Sequence, residues 1–245
     1  MSQTSSSEPS PSEHARRRAE LARNLAGVRG RIDTACAAAG RDSGDVTLIA
    51  VTKTRPAADV MLLAELGVTD IGENRDQEAA PKAAACAGLR ITWHFIGQLQ
   101  TNKAASVARY ADVVHSVDRL RLVHALGAAA RGAGREVTCL VQVSLDGDTA
   151  RGGVPAGHLK ETAAALAAEP GLLLGGVMAV APLGMAPEEA FAPLRACSDT
   201  IRQVRPEASI ISAGMSGDLE AAIDAGATHL RIGTALLGAR SLPVR

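Results

Sequence analysis

VTLIAVTKTRP, residues 46–56, is a short unbroken apolar run rich in β-branched residues, followed by a polar turn and a proline placed for the first turn of a helix. An apolar run without alternation reads as a strand buried on both faces, the state of a strand inside a parallel sheet. The helix that follows, over residues 57–66, is closed by Gly67. The same order recurs down the chain. VTDIG leads into a helix over 75–86, ITWHFIG into one starting near Thr101, and ADVVHSV into one starting at Asp118, a good N-cap. VTCLVQVS precedes a helix over 155–168, LLLGGVMAV one over 187–204, ASIISA one over 218–225, and THLRIG a short last helix. An amphipathic helix over residues 13–40 comes before all of these, its apolar positions Leu21, Leu25, Val28, Ile32 and Ala35 set at three- and four-residue steps.

That makes about eight strands, each followed by a helix, an alternation that requires a parallel sheet with helical crossovers. The expected fold is α/β, a (β/α)8 TIM barrel forming one domain over residues 13–245, with active-site groups at the C-terminal ends of the strands. An open doubly wound sheet fits the same order of elements, but no G-x-G-x-x-G follows the first strand. Residues 1–12, MSQTSSSEPSPS, are rich in Ser and Pro and are expected to be a disordered tail.

Composition limits the function. Of 245 residues, 47% are hydrophobic and 21% charged, enough for a sizeable core, while aromatics are only 2%, so the core must be built from Val, Leu, Ile and Ala. Lys plus Arg and Asp plus Glu both total 26, leaving no global field to attract nucleic acid or anionic lipid. The cysteines, Cys36, Cys86, Cys139 and Cys197, form no CxxC pair, which argues against a zinc framework or a disulfide scaffold and for a reducing cytoplasm. No apolar run approaches the roughly 18 residues of a membrane span, and no signal-peptide core opens the chain. The scarcity of aromatics leaves no evident association patch, so a monomer is expected.

Three stretches could carry chemistry. Lys53 stands just past the first strand, where a barrel delivers a side chain into its mouth. A partly desolvated lysine there can form a Schiff base with a carbonyl, although a lone lysine in such a place is more often a solvated strand end. In GMSGDLEAAIDAGATHLRIGTALLG, residues 214–238, Ser216 and Gly217 follow strand seven, and Gly233 and Thr234 follow strand eight. Those loops are the usual phosphate cradle of this fold, since backbone N–H groups and hydroxyls converge on the anion; singly, such residues also make ordinary caps. Arg231 lies inside the last strand and needs a partner, for which a pyridine nitrogen or a carboxylate serves equally. IGENRDQE and WHFIGQLQTNK add Glu73, Asn74, His94, Gln98, Asn102 and Lys103 at two further strand ends, although a lone His in an apolar strand is more often a satisfied core residue.

Taken together, VTKTRP, IGENRDQE, WHFIGQLQTNK, VHSVDR, GVMAV, GMSGDLEAAIDAG and RIGTALLGAR resemble, in order and spacing, the pyridoxal phosphate homeostasis protein family, single-barrel relatives of the alanine racemase N-terminal domain. The resemblance implies that Lys53 holds pyridoxal 5′-phosphate (PLP) as an internal aldimine. It implies that Ser216, Gly233 and Thr234 bind the phosphate, that Arg231 faces the pyridine nitrogen, and that Asn74, His94 and Met215 line the ring pocket. It also implies a protein that limits free aldehyde and passes cofactor to apo-enzymes. The alternatives are a PLP-dependent racemase or related carbanion enzyme, and a barrel for a different phosphorylated ligand. Against the racemase, the second acid/base in such enzymes is a tyrosine from a further domain, and this chain has only Tyr110, expected beyond the strand-three helix. Departures are Ile71 and Arg75, where the family has aromatics around GEN, Ser212-Ala213 before GMS, and Ala181 before Pro182. Arg75 bears on the polarity of the pocket rim.

Overall fold

Strand β1 (Thr47–Val51) pairs in parallel with β2 (Asp70–Glu73) on one side and with β9 (His229–Ile232) on the other, so the first strand and the last are neighbours. The rest of the ring in this computed structural model, which describes residues 11–148 and 152–239, runs through β3 (Thr92–Phe95), β4 (Val113–Val117), β5 (Val137–Ser144), β7 (Leu172–Met178) and β8 (Ile210–Ser212). The pairing of β4 with β5 completes it. Every pairing is parallel, and β6 (Val154–Pro155) pairs only with the end of β5, so a nine-stranded sheet contains a closed ring of eight. This is the expected (β/α)8 barrel, and the open sheet is excluded by closure.

Burial on both faces explains the unbroken apolar strands. The larger core lies between barrel and helices and is assembled mainly from Leu, Val, Ile and Ala, with Phe95, Phe191 and Trp93 among its few aromatics. Each buried Leu or Ile there contributes roughly 1.5–3 kcal/mol. Inside the ring sits a separate small cluster, Val113, Leu140 and Met178 with Ile210 against it. The polar side chains His94, His115 and Arg231 share the lumen with it.

The outer layer begins with α1 (Pro11–Ala38), whose buried face is Leu21, Leu25, Val28, Ile32, Ala35 and Cys36. It starts two residues earlier than expected, and residues 1–10 of the expected tail lie outside the described residues. Following the strands are α2 (Ala57–Glu65), α3 (Asp76–Ala85), α4 (Ala104–Val107), α5 (Leu120–Gly132), α6 (Leu159–Ala168), α7 (Pro187–Phe191), α8 (Leu194–Val204), α9 (Leu219–Asp224) and α10 (Thr234–Leu237). Three expectations are corrected. The helix near Thr101 is a 3-10 turn, Thr101–Lys103, leading into only four α-helical residues. The helix expected over 187–204 is broken at Pro193, which has no N–H to continue α7. Asp118 does not cap α5: its carboxylate is paired with the Arg119 guanidinium and faces the Gly153 N–H at 3.5 Å, and Arg119 occupies the cap position.

α1 also braces the C-terminal elements. Arg17 donates to both oxygens of Asp59 on α2 at 3.1 and 2.7 Å, and Asn24 donates to the Leu236 carbonyl at 2.9 Å. Arg31 donates to the Ser216 carbonyl at 2.9 Å while its other nitrogens hold Glu220. No described helix is long and apolar enough to cross a membrane.

Candidate cofactor site at the mouth of the barrel

The turn that carries Lys53 is fixed on both sides by carboxylates from the β2–α3 unit. On one side, Thr52 is fully buried; its N–H donates to the Gly72 carbonyl at 3.0 Å and its hydroxyl to Glu73 Oε1 at 2.6 Å. Lys82 from α3 donates to that same oxygen at 2.5 Å and to the Thr52 carbonyl at 2.7 Å. On the other side, Thr54 adopts φ +65°, a left-handed conformation that a β-branched residue enters at a cost, and its N–H donates to Glu78 Oε2 at 2.7 Å. Glu73 and Glu78, both from the IGENRDQE stretch, thus serve the lysine turn from behind the cavity.

The turn after β8 faces it. Gly214 has φ +89°, and a Cβ there would stand 2.6 Å from Ala222 Cβ, so both conformation and space require glycine. The Met215 N–H donates to Asp218 Oδ1 at 2.5 Å, and the Ser216 hydroxyl accepts from the Ala235 N–H at 3.2 Å. That last bond ties the Ser216 turn to the Gly233–Thr234 turn at the head of α10.

Lys53, Asn74, Met215, Ser216, Arg231, Gly233 and Thr234 line one cavity of about 350 Å³, together with Val51, Ile96, Met178, Val180 and Gly217. Eight of the residues singled out in the sequence, Gly217 included, are therefore brought together. Asn74 is placed by a close approach at Gly97, where a Cβ would lie 2.1 Å from the Asn74 carbonyl oxygen. Its side-chain Oδ1 is buried with no hydrogen-bond partner, an orphaned polar atom on the cavity wall. Gln98 and Lys103 line an adjoining hollow with Arg75 and Asp76, so the guanidinium at the departed Arg75 position belongs to the rim of that hollow.

Arg231 is 4% exposed. It donates to Ser212 Oγ at 2.6 Å and to the Ala179 carbonyl at 2.8 Å, and among the described residues no carboxylate pairs with it. Burial lowers its pKa to about 10, against the charge of Asp218, so it stays cationic at neutral pH.

His94 is not among the cavity-lining residues. It lies in the lumen, 2% exposed, with Nδ1 2.9 Å from His115 Nε2 and Nε2 3.0 Å from Asp70 Oδ1. His115 Nδ1 in turn is 2.9 Å from Ser212 Oγ, the same oxygen that Arg231 reaches. Burial, with the charges of His94, Arg231 and His229, drives the His115 pKa well below its ordinary value. Asp70, His115 and Ser212 carried one readable signal, polar residues interrupting apolar strands, and were not singled out.

The sequence profile of the alanine racemase N-terminal domain family matches residues 24–241. The chain is 43% identical over 245 residues to the pyridoxal phosphate homeostasis protein of Mycobacterium tuberculosis strain H37Rv, covering 92% of this chain and 95% of that one. PipY of Synechococcus elongatus PCC7942, solved with PLP bound, superimposes with a TM-score of 0.78 at 33% identity over 89% of this chain and all of that one. Alanine racemase from Corynebacterium glutamicum, at 16% identity and TM-score 0.65 over 89% of this chain and 60% of that one, shares the fold. A cofactor-sized hollow that collects a lysine, two linked Ser/Gly/Thr turns and a buried arginine on a matching barrel leaves one assignment: the chain belongs to the pyridoxal phosphate homeostasis protein family.

Proposed function

We propose that this protein binds pyridoxal 5′-phosphate at the barrel mouth and acts in the homeostasis of that cofactor. The observation that carries the reading is Arg231, a buried guanidinium with no carboxylate partner among the described residues, standing on the same cavity wall as Lys53. A buried cation with donors to spare fits a ligand that presents an acceptor, and the orphaned Asn74 amide fits one that carries a second polar group. The cavity volume lies at the lower end of the range for small-molecule sites.

Bound PLP supplies an aldehyde that condenses reversibly with a primary amine and a ring that can accept electrons. Lys53 presents the amine, held by the two anchored flanks of its turn. Ser216, Gly233 and Thr234 receive the phosphate with hydroxyl and N–H donors, on turns joined by the Ala235–Ser216 bond. Arg231 would face the pyridine nitrogen as a donor, and a guanidinium there would leave that nitrogen unprotonated and the ring a poor electron sink. Met215 and Asn74 would bound the ring.

Holding the cofactor, rather than turning over amino acids on it, is supported by the titratable groups on the cavity wall, which are Lys53 and Arg231 among the described residues. Tyr110 stands elsewhere, where burial and the charges of Asp76 and Glu73 raise its pKa. Among the described residues that line the cavity, none besides Lys53 and Arg231 carries a titratable proton to return to a substrate. The four cysteines are free and buried, in keeping with action in a reducing cytoplasm. There the protein works as a single-domain monomer over residues 13–245 that releases PLP to apo-enzymes.

Purified protein is expected to be yellow, and borohydride is expected to fix the cofactor on Lys53, read by intact mass and peptide mapping. Protein that stays colourless after incubation with PLP overturns the binding. Racemisation far above that of free PLP and abolished by Lys53→Ala would establish the enzyme instead. Size-exclusion mass and transfer of PLP to an apo-aminotransferase test the monomer and the handover.

A further inference from the structure

Strands β4 and β8 are not neighbours in the ring, yet His115 on one and Ser212 on the other are hydrogen-bonded, so the bond crosses the lumen. It is one link of a continuous column: Asp70 on β2, His94 on β3, His115 on β4, Ser212 on β8 and Arg231 on β9, at 3.0, 2.9, 2.9 and 2.6 Å. Asp70 is the first residue of its strand, at the end of the barrel opposite Lys53, and also lines a hollow there with Asp33, Thr69 and Arg29. The column therefore joins the far end of the barrel to the wall of the cofactor cavity.

The direction of every bond follows from its ends. A guanidinium can only donate, so Ser212 Oγ accepts from Arg231. An ionised carboxylate can only accept, so His94 Nε2–H donates to Asp70. When His94 is uncharged, it accepts at Nδ1 from His115 Nε2–H, and His115 accepts at Nδ1 from the Ser212 hydroxyl. Each polar atom on the column is satisfied once, and each neutral imidazole is confined to its Nε2–H tautomer.

We propose that Asp70 is a remote positioning residue for Arg231: its carboxylate sets the tautomers of His94 and His115, and through the Ser212 hydroxyl orients and counterbalances the guanidinium that faces the ring of the bound cofactor. This rests on the reading that Arg231 meets PLP. The groups that face the column are few. His229 on β9 has its ring centroid 6.3 Å from that of His94 and bonds to Thr228 Oγ1, Asp218 acts on Arg231 by its charge, and the Thr69 hydroxyl donates to the other Asp70 oxygen at 2.9 Å. Against burial, the His94 and Thr69 hydrogen bonds hold Asp70 below the ordinary carboxylate range, which keeps it an acceptor.

Asp70→Asn releases the column. The neutral amide can accept at Oδ1 from His94 Nε2–H or donate from Nδ2–H to Nε2, so neither tautomer of His94 and His115 is imposed; in the Nδ1–H state Ser212 Oγ receives two donors and its own hydrogen loses its acceptor. Long-range proton–nitrogen NMR of the imidazoles in cofactor-free protein, taken at a pH where both are neutral, is expected to show Nε2–H on both histidines in the native chain and a mixture of Nε2–H and Nδ1–H in Asp70→Asn. PLP affinity, read by absorbance titration, is expected to fall about tenfold in Asp70→Asn, the size of one lost charge-assisted hydrogen bond. In a Ser212→Ala background, where the link to Arg231 is already cut, Asp70→Asn should weaken PLP no further. Unchanged tautomers in Asp70→Asn, or an equal loss of affinity with and without Ser212, overturn the proposal. If Asp70→Asn fails to fold, Ser212→Ala decides it: with the hydroxyl gone, both histidines should keep Nε2–H because Asp70 still holds His94, and a change of tautomer there overturns the proposal. Failure of the native chain to bind PLP overturns the proposed function instead, while the tautomers in cofactor-free protein still decide whether Asp70 commands the column.

Discussion

The ammonium of Lys82 lies 2.5 Å from Glu73 Oε1, so a buried ion pair stands directly behind the turn that carries Lys53. Both side chains are almost wholly out of solvent, and Thr52 joins them through its hydroxyl and its carbonyl. Breaking such a pair from one side strands a buried charge, at a cost of about 3–5 kcal/mol, whereas replacing both partners by apolar groups costs far less. Lys82→Met is therefore expected to lower the urea unfolding free energy by about 3 kcal/mol. Glu73→Leu added to it should restore most of that loss. A single variant with the stability of the native chain would mean that the pair is not formed in solution.

The next turn residue carries the opposite kind of energy. Thr54 at φ +65° is held by the Glu78 carboxylate, and left-handed backbone costs a β-branched residue about 1–2 kcal/mol. Asparagine enters this region more readily without the added chain entropy of glycine. Thr54→Asn is expected to raise the unfolding free energy by up to about 1 kcal/mol. Its borohydride-trapped PLP stoichiometry should be unchanged. A destabilised variant would show that the Thr54 side chain is needed for more than it contacts here.

Gly233 separates folding from binding. Its φ of −110° lies outside the left-handed region that favours glycine, and a Cβ there would meet only Val51, at 3.7 Å. The space that the methyl group takes is that of the cavity. Gly233→Ala should leave stability within about 0.5 kcal/mol of the native chain. It should weaken PLP binding tenfold or more, about 1.4 kcal/mol. Equal PLP affinity in the two proteins would remove this turn from the phosphate site.

The barrel was legible because a strand buried on both faces must be an unbroken apolar run, and because Gly40, Gly67 and Gly226 close helices at positive φ. The mouth was legible for the same reason that it exists: Lys53, Ser216, Gly233 and Thr234 each follow a strand end, where polar residues have no packing role to hide behind. Residues inside the strands were not. Met178 faces the lumen and Val177 the helical core, yet both belong to one apolar run with nothing to tell them apart. The His115–Ser212 contact depends on how strands three places apart in the ring face each other, which periodicity along one strand does not encode. Asp118 failed as a cap because Arg119, its neighbour in sequence, took the carboxylate.

Acid should unfold this protein through its lumen. Burial, reinforced by the His94 charge and opposed by Asp70, lowers the His229 pKa from 6.5 to about 4, and His115 is lowered as well. Between those limits the unfolded chain binds a proton at His229 that the folded chain refuses, so stability rises with pH across the window. The contribution is fully present above about pH 6.5, declines as the pH falls, and is exhausted below about pH 4. From His229 alone the change is on the order of 3 kcal/mol, and His115 adds to it with the same sign. Urea midpoints taken from pH 7 down to 4.5 should fall steadily, and His229→Gln should flatten the slope. Midpoints that hold level to pH 5 would mean that the buried imidazoles accept protons as readily as exposed ones.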